Sequence, residues 1–110
     1  MQRLGVKMGA DARTFWGLSG FGDLVTTAFS AESRNHTLGM KIGMGQTLEH
    51  TSRKMVMVAE GAPTAKAVKI IAERHGIEMP ICEAVYSILY QNEAPKRAIR
   101  ELMSRPLKNE

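Results

Sequence analysis

Three consecutive polar residues, Ser33, Arg34 and Asn35, have the side chains in this sequence that are best suited to a phosphorylated ligand. An arginine fork can bind phosphate through two parallel hydrogen bonds, and Ser and Asn can bind hydroxyls or phosphate oxygens. Asp23 precedes this run in a Gly-rich stretch, and its carboxylate can accept hydrogen bonds from a polyol. Glu60 follows, just before a glycine. These residues are our candidates for a site that binds a small anion.

Each candidate also has a reading that involves no ligand. Asp23 could be a first-turn carboxylate that the helix dipole favours, and Arg34 could be a solvated arginine. Taken alone, Glu60 is a plain loop carboxylate. Ser33 favours the functional reading of Arg34, because a helix that starts there leaves free backbone N–H groups beside the guanidinium. From the residues alone, both readings stay open.

Gly17, Gly20 and Gly22 form the pattern G-x-x-G-x-G, which differs from the dinucleotide-binding fingerprint G-x-G-x-x-G. No strand is predicted before them, although that fingerprint requires one. We therefore interpret them as glycines at a corner of the chain.

The composition is that of an ordinary globular protein, with 110 residues, 44% hydrophobic and 24% charged. A net charge of +4 favours anionic ligands, and nucleic acid has to be considered. The positive charge is scattered, however, and the aromatic content of 5% offers no stacking platform for bases. The stretch with the highest density of positive charge, which contains Lys96, Arg97 and Arg100, is predicted to be a solvated helix face.

Cysteine and histidine usage suggests neither a disulfide nor a metal site. Cys82 is the single cysteine and is predicted to be a buried thiol, and the three histidines lack metal-ligand spacing. We interpret His36, His50 and His75 as surface or helix-end residues. No apolar run approaches the ~20 residues of a membrane span, and no signal peptide opens the chain. The expected location is the cytoplasm.

Three segments in the second half of the chain have apolar residues at the spacing of a helix face. The first covers 63–75, the second begins at Pro80, and the third begins at Pro95. Gly76 and Pro106 stand where the first and third should end. The predicted core-facing stripes are Ala67, Val68, Ile71 and Ala72 in the first, Ile81, Ala84, Val85, Ile88 and Leu89 in the second, and Ala98, Ile99, Leu102 and Met103 in the third.

The first half is predicted to form shorter helices. Ser33 is the expected N-cap of a helix through Ile42, and Thr47 of a helix through Lys54. A helix over 20–29 should start at the Gly-rich corner, after one or two helical turns. Because no strand-like alternation persists, we predict an all-α bundle of six or seven short helices.

The order of several motifs resembles the C-terminal domain of bacterial-type NAD(P)-dependent glycerol-3-phosphate dehydrogenase. The similarity runs from about Arg3 to the C-terminus, nearly the whole chain. The motifs are Gly17-Leu18-Ser19-Gly20-Phe21-Gly22-Asp23-Leu24, Ser33-Arg34-Asn35, Val58-Ala59-Glu60-Gly61, Thr64-Ala65-Lys66, Glu78-Met79-Pro80-Ile81 and Arg100-Glu101-Leu102-Met103.

The resemblance implies roles for six residues. The substrate, glycerol 3-phosphate or dihydroxyacetone phosphate, is expected to contact Asp23, Ser33, Arg34 and Asn35. The cofactor, NAD or NADP, is expected to contact Arg34, Val58 and Glu60 from this side. No catalytic residue is expected in the chain, because the family's proton-accepting lysine lies further upstream and Lys7 does not match it.

The resemblance also implies an architecture. Residues 1–110 are expected to be a single helical substrate-binding domain, a compact bundle of the 6-phosphogluconate dehydrogenase C-terminal-domain-like fold. The segment 1–8 reads as the end of a helix that begins earlier. The Rossmann domain, which binds most of the cofactor in this family, is expected to be absent from this chain, and the chain alone is expected to be inactive. We expect small-molecule partners, no nucleic acid and no membrane span, and a homodimer is compatible with the resemblance.

Two alternatives remain. The chain could be a free-standing helical module that binds nucleic acid or a partner protein through its basic C-terminal helix, which would require a clustered basic face. It could also be the helical domain of a related β-hydroxyacid dehydrogenase, although that group lacks the Ser-Arg-Asn and Gly-x-Gly-Asp arrangement.

Overall fold

The computed structural model of the protein describes residues 1–55 and 57–106, which form only helices, turns and connecting loops, without a strand. This confirms the predicted all-α class. None of these helices is long and apolar enough to cross a membrane. The elements, in order, are α1 (Gln2–Lys7), a 3₁₀ segment (Ala12–Trp16), a π-helical turn (Leu18–Gly22), α2 (Asp23–Phe29), α3 (Arg34–Gly43), α4 (Leu48–Lys54), α5 (Gly61–His75), α6 (Pro80–Tyr90) and α7 (Pro95–Met103).

The helix boundaries in residues 33–103 follow the expected capping chemistry. The side-chain oxygens of Ser33 and Thr47 each accept a hydrogen bond from the backbone N–H three positions later, at 3.2 Å. Gly76 ends α5 in the left-handed conformation with φ of 62°, and proline occupies the first turn of both α6 and α7. These predictions from sequence are confirmed.

The core lies where α3 packs beside the start of α5. Leu38 and Ile42 of α3 are buried with Ala59 and Ala62. Partly buried side chains pack at the edge of this cluster: Leu48 at the start of α4, Met55 just after α4, and Ile88 and Leu89 of α6. The buried side of α5 is made of alanines, Ala62, Ala65 and Ala72, which allow α6 to approach closely. This core holds α3 beside the start of α5, and predicted site residues lie in the first turn of α3 and just before α5.

An ion pair and two aromatic rings accompany the packing of α5 against α6. Lys69 Nζ lies 2.8 Å from Glu73 Oε1 and 5.5 Å from the centre of the Tyr86 ring. The hydrogen bond to Glu73 raises the pKa of Lys69 above its ordinary value. The Tyr86 ring also stacks at a tilt on Tyr90, with 5.2 Å between the ring centres.

Part of each predicted apolar stripe is exposed, which corrects the expectation that the whole stripe faces the core. Ile81 is 68% exposed and Met103 81% exposed, and Val85, Ile99 and Ala67 are also exposed. The helical period places residues on one face, but a neighbouring helix covers only part of that face. Cys82 is only partly buried, so the prediction of a buried thiol was too strong.

Residues 1–29 are arranged differently from the prediction. The expected continuous helix over 20–29 is a π-helical turn followed by the shorter α2, and the preceding turns are a 3₁₀ segment. None of these four elements has a buried residue. Each packs mainly on its neighbour in the chain. Large side chains in this region are exposed, among them Trp16, Leu18 and Phe29.

Replacing Gly39 with alanine should stabilise the protein. Gly39 lies inside α3, and a Cβ added there would meet no atom within 4 Å. Alanine should therefore add about 0.5–1 kcal/mol to the free energy of unfolding, because the unfolded chain loses backbone freedom. Gly76→Ala is the opposite control, since its left-handed φ strains any side chain. Urea unfolding would measure both, and a destabilised Gly39→Ala variant would contradict this reading of α3.

Candidate functional site

A polar cleft of about 360 Å³ opens between the end of α2 and the start of α3. The α3 side presents Ser33, Arg34 and Asn35, the run singled out from the sequence. The cleft is lined by hydroxyls, one guanidinium, one amide and two carboxylates, from Thr26, Thr27, Ser30, Glu32, Ser33, Arg34, Asn35 and Glu60. Such a mixture suits a small ligand that carries both negative charge and hydroxyl groups.

Arg34 is exposed and only lightly engaged by the protein. Its Nη1 donates one long hydrogen bond, 3.4 Å, to the backbone carbonyl of Val58. It forms no ion pair with any residue in the described part of the chain. The fork therefore keeps donors available for a phosphate or carboxylate ligand, while the contact with Val58 orients it.

Asn35 connects the segment 33–35 to the segment 58–61. Its Oδ1 accepts a hydrogen bond of 2.9 Å from the backbone N–H of Gly61, 26 positions away at the start of α5. Gly61 permits this approach, because a Cβ there would lie 2.6 Å from the same oxygen. The amide N–H₂ of Asn35 has no hydrogen-bond acceptor among the described residues and can donate to a ligand. The segments 33–35 and 58–61 are thus bonded to each other twice.

Ser33 has a structural task as the N-cap of α3, since its Oγ accepts from the His36 N–H. Its own hydroxyl hydrogen can still be donated to a ligand. The N–H groups of Arg34 and Asn35 occupy the first two helical positions, where no intrahelical acceptor exists. With the positive end of the ten-residue helix α3, they add to the attraction for an anion.

The other wall of the cleft comes from α2 and the residue after it. Thr26, Thr27 and Ser30 line it, and Thr26 Oγ1 donates 2.9 Å to the Gly22 carbonyl. Asp23 is the first residue of α2 and does not line the cleft itself. It lies one helical turn before the threonines on the same face, so its exposed carboxylate extends this wall beyond the cleft.

The remaining two candidates, Val58 and Glu60, have side chains on opposite sides of the segment 58–61. Glu60 lines the cleft, exposed, just before α5. The side chain of Val58 belongs to an adjacent apolar pocket with Leu38 and Tyr90, and only its carbonyl reaches Arg34. Glu32 and Glu60 place negative charge at the rim near Arg34. They can accept hydrogen bonds from ligand hydroxyls, but they oppose a second anionic group.

The structure brings together Ser33, Arg34, Asn35 and Glu60, with Val58 bonded through its backbone and Asp23 nearby on α2. The sequence analysis missed the hydroxyls of Thr26, Thr27 and Ser30. Their spacing of three, four and seven positions from Asp23 could have identified them, because residues at this spacing share a helix face.

The described residues do not support a basic nucleic-acid face on α7. Arg97, one of the three basic residues of this helix, already has acidic partners, since its Nε pairs with Glu93 at 3.1 Å and with Glu101 at 3.5 Å. Residues 1–55 and 57–106 also contain no group of three His, Cys, Asp or Glu side chains that could hold a metal ion.

Comparison with known proteins gives consistent matches. Residues 1–100 match the family model described as NAD-dependent glycerol-3-phosphate dehydrogenase C-terminus. The chain is similar to the glycerol-3-phosphate dehydrogenase [NAD(P)+] of Oleidesulfovibrio alaskensis, with 52% identity over 100% of this chain and 33% of the relative. The corresponding protein of Syntrophobacter fumaroxidans is 49% identical over 98% of this chain and 32% of its own length.

A solved structure shares the fold. The crystal structure of glycerol-3-phosphate dehydrogenase from Coxiella burnetii superposes with a TM-score of 0.89 at 34% identity, covering 94% of this chain and 32% of that one. The chain therefore spans about a third of the length of the proteins it matches.

Proposed function

This chain belongs to the family of NAD-dependent glycerol-3-phosphate dehydrogenase C-terminal domains, and from this premise we propose that it supplies the substrate-binding side of such an enzyme. The proposed reaction interconverts sn-glycerol 3-phosphate and dihydroxyacetone phosphate and feeds glycerophospholipid synthesis. The observation that carries the proposal is the cleft in which Arg34 and Asn35 are bonded to the segment 58–61.

Within this proposal, each group in the cleft has a task that its chemistry supports. The Arg34 fork and the free N–H groups at the start of α3 bind the phosphate dianion. Ser33 and the Asn35 amide donate to phosphate or hydroxyl oxygens. The Asp23 carboxylate accepts from the glycerol hydroxyls beyond the cleft. Together these contacts hold the substrate so that the carbon bearing the reacting hydroxyl has one orientation.

The residues at the rim also fit a nicotinamide dinucleotide. Exposed Glu60 can accept from ribose hydroxyls, and Arg34 can reach a phosphate of the cofactor as well as that of the substrate. Glu60 and Arg34 would help to hold NAD(P)⁺, which would supply the hydride acceptor for the oxidation. Asp23, Ser33, Arg34 and Asn35 bind and orient in this scheme, whereas Arg34, Val58 and Glu60 face the cofactor.

We assign residues 1–110 to one helical substrate-binding domain. In this proposal a lysine outside these residues accepts the hydroxyl proton, and a Rossmann domain outside them makes most of the cofactor contacts. The proposed state of the whole enzyme is a cytoplasmic homodimer. A single, partly buried cysteine is in keeping with a reducing compartment.

A chimera tests the proposal directly. Residues 1–110 would replace the matching 33% of the Oleidesulfovibrio alaskensis relative, to which they are 52% identical. The chimera is expected to oxidise glycerol 3-phosphate with NAD⁺ or NADP⁺, whereas the isolated 110-residue chain should show no turnover. Absorbance of the reduced nicotinamide measures both. A chimera that folds, judged by circular dichroism, but neither binds nor oxidises glycerol 3-phosphate would refute the proposal.

A further inference from the structure

The position of α2 is not fixed by the hydrophobic core. This seven-residue helix has no buried residue, although it supplies Thr26 and Thr27 to the cleft and carries Asp23 at its start. A short helix without a buried face is marginally stable on its own. Some other interaction has to fix the distance between the α2 wall and Arg34 on α3.

One side-chain hydrogen bond spans this gap. The ring Nδ1 of His36, in the first turn of α3, lies 2.8 Å from the backbone carbonyl oxygen of Ala28, in the last turn of α2. A carbonyl oxygen can only accept, so Nδ1 carries the hydrogen and the imidazole donates. Among the described residues, no other side-chain hydrogen bond connects α2 with α3. His36 is partly buried and Ala28 is exposed, so this hydrogen bond lies at the surface.

His36 is also bonded to the residues that form the opposite wall. Its backbone N–H donates to the Ser33 cap, and it follows Arg34 and Asn35 directly in the same helical turn. A displacement of the His36 ring relative to Ala28 therefore changes the width of the cleft. The residue connects the hydroxyl wall on α2 to the anion-binding groups on α3.

We propose that His36 is a positioning residue for the substrate cleft, which holds α2 against α3 without touching the ligand. This inference rests on the proposed function, since it concerns the binding of glycerol 3-phosphate in the same cleft. If the ring donor is lost, the α2 wall moves relative to Arg34 and the nonreacting part of the substrate binds less well. The reaction centre itself is unchanged, so KM should respond more than kcat.

The test uses three variants of the chimera described above, each compared with the parent chimera. His36→Leu removes the donor while keeping an apolar side chain, and should raise KM for glycerol 3-phosphate about tenfold with kcat within about twofold. His36→Asn places an amide N–H near the position of Nδ1 and should restore most of the lost affinity. His50→Leu is the matched control, because that exposed ring makes no hydrogen bond within the described residues.

Each result supports or overturns the proposal. KM unchanged in His36→Leu, or raised equally by His36→Asn, would show that the ring donor does not position the cleft. An inactive parent chimera would instead count against the proposed function. If the variants fail to fold, the inference can still be tested on the unmodified chain. Long-range ¹H–¹⁵N spectra should show hydrogen on Nδ1 of His36. A ring with hydrogen only on Nε2 would overturn the inference.

Discussion

Replacement of Arg34 by alanine in the chimera should lower kcat/KM for glycerol 3-phosphate by about thirtyfold to several thousandfold, equivalent to about 2–5 kcal/mol. The reason is the loss of a charge-assisted, two-pronged contact with a phosphate dianion once ligand and protein exclude water from it. Arg34 is exposed, and within residues 1–55 and 57–106 its side chain makes one hydrogen bond, of 3.4 Å, so the free energy of unfolding should change by less than about 0.5 kcal/mol.

Two variants make the Arg34 result specific. Arg34→Lys keeps the charge but not the planar fork, and should recover only part of the lost kcat/KM. Arg97→Ala is the matched control, because Arg97 lies on α7 with a side chain that is 69% exposed and does not line the cleft. Steady-state kinetics with thermal unfolding would measure all three. If Arg34→Ala behaved like Arg97→Ala, Arg34 would be a solvated helix-start residue and the phosphate-clamp hypothesis would be wrong.

Local chemistry explains why so many helix boundaries were predictable. A serine or threonine cap, a proline in the first turn and a glycine with φ of 62° each act within three or four residues, so the sequence pattern contains the whole interaction. The same holds for Ser33 as the start of α3. The run Ser33-Arg34-Asn35 was therefore located correctly on a helix N-terminus before its surroundings were known.

Contacts between distant segments were not predictable in this way. The bond between Asn35 and Gly61 joins positions 26 apart and depends on how α5 packs on α3, which no periodicity encodes. The exposure of Ile81 and Met103 has the same origin, because a stripe shows which face is apolar and not how much of it a neighbour covers. His36 was expected to be a surface or helix-end residue, which agrees with its place in the first turn of α3, but its bond to Ala28 depends on how α2 lies against α3.

The glycine corner before Asp23 was predictable from the sequence only in part. The sequence identified Gly17, Gly20 and Gly22 as corner residues, yet it could not show which of them is sterically indispensable. A Cβ added to Gly20 would lie 2.6 Å from Phe15 Cα, in contact with backbone that no side-chain rotation can move aside. A Cβ on Gly17 would meet nothing closer than 3.9 Å. Gly20 is therefore the position at which the corner tolerates no side chain.

Gly20→Ala should consequently disrupt the corner, at a cost of about 1–3 kcal/mol, while the rest of the fold persists. Residues 1–29 include no fully buried side chain, so the strain should be relieved by local opening of 12–22 and not by global unfolding. Hydrogen exchange with mass spectrometry should show faster exchange in that segment and unchanged protection in α5 and α6. Because α2 begins directly after the corner, KM for glycerol 3-phosphate in the chimera should also rise. Gly17→Ala is the control with room for its methyl group, and equal exchange in the two variants would contradict the close approach to Phe15.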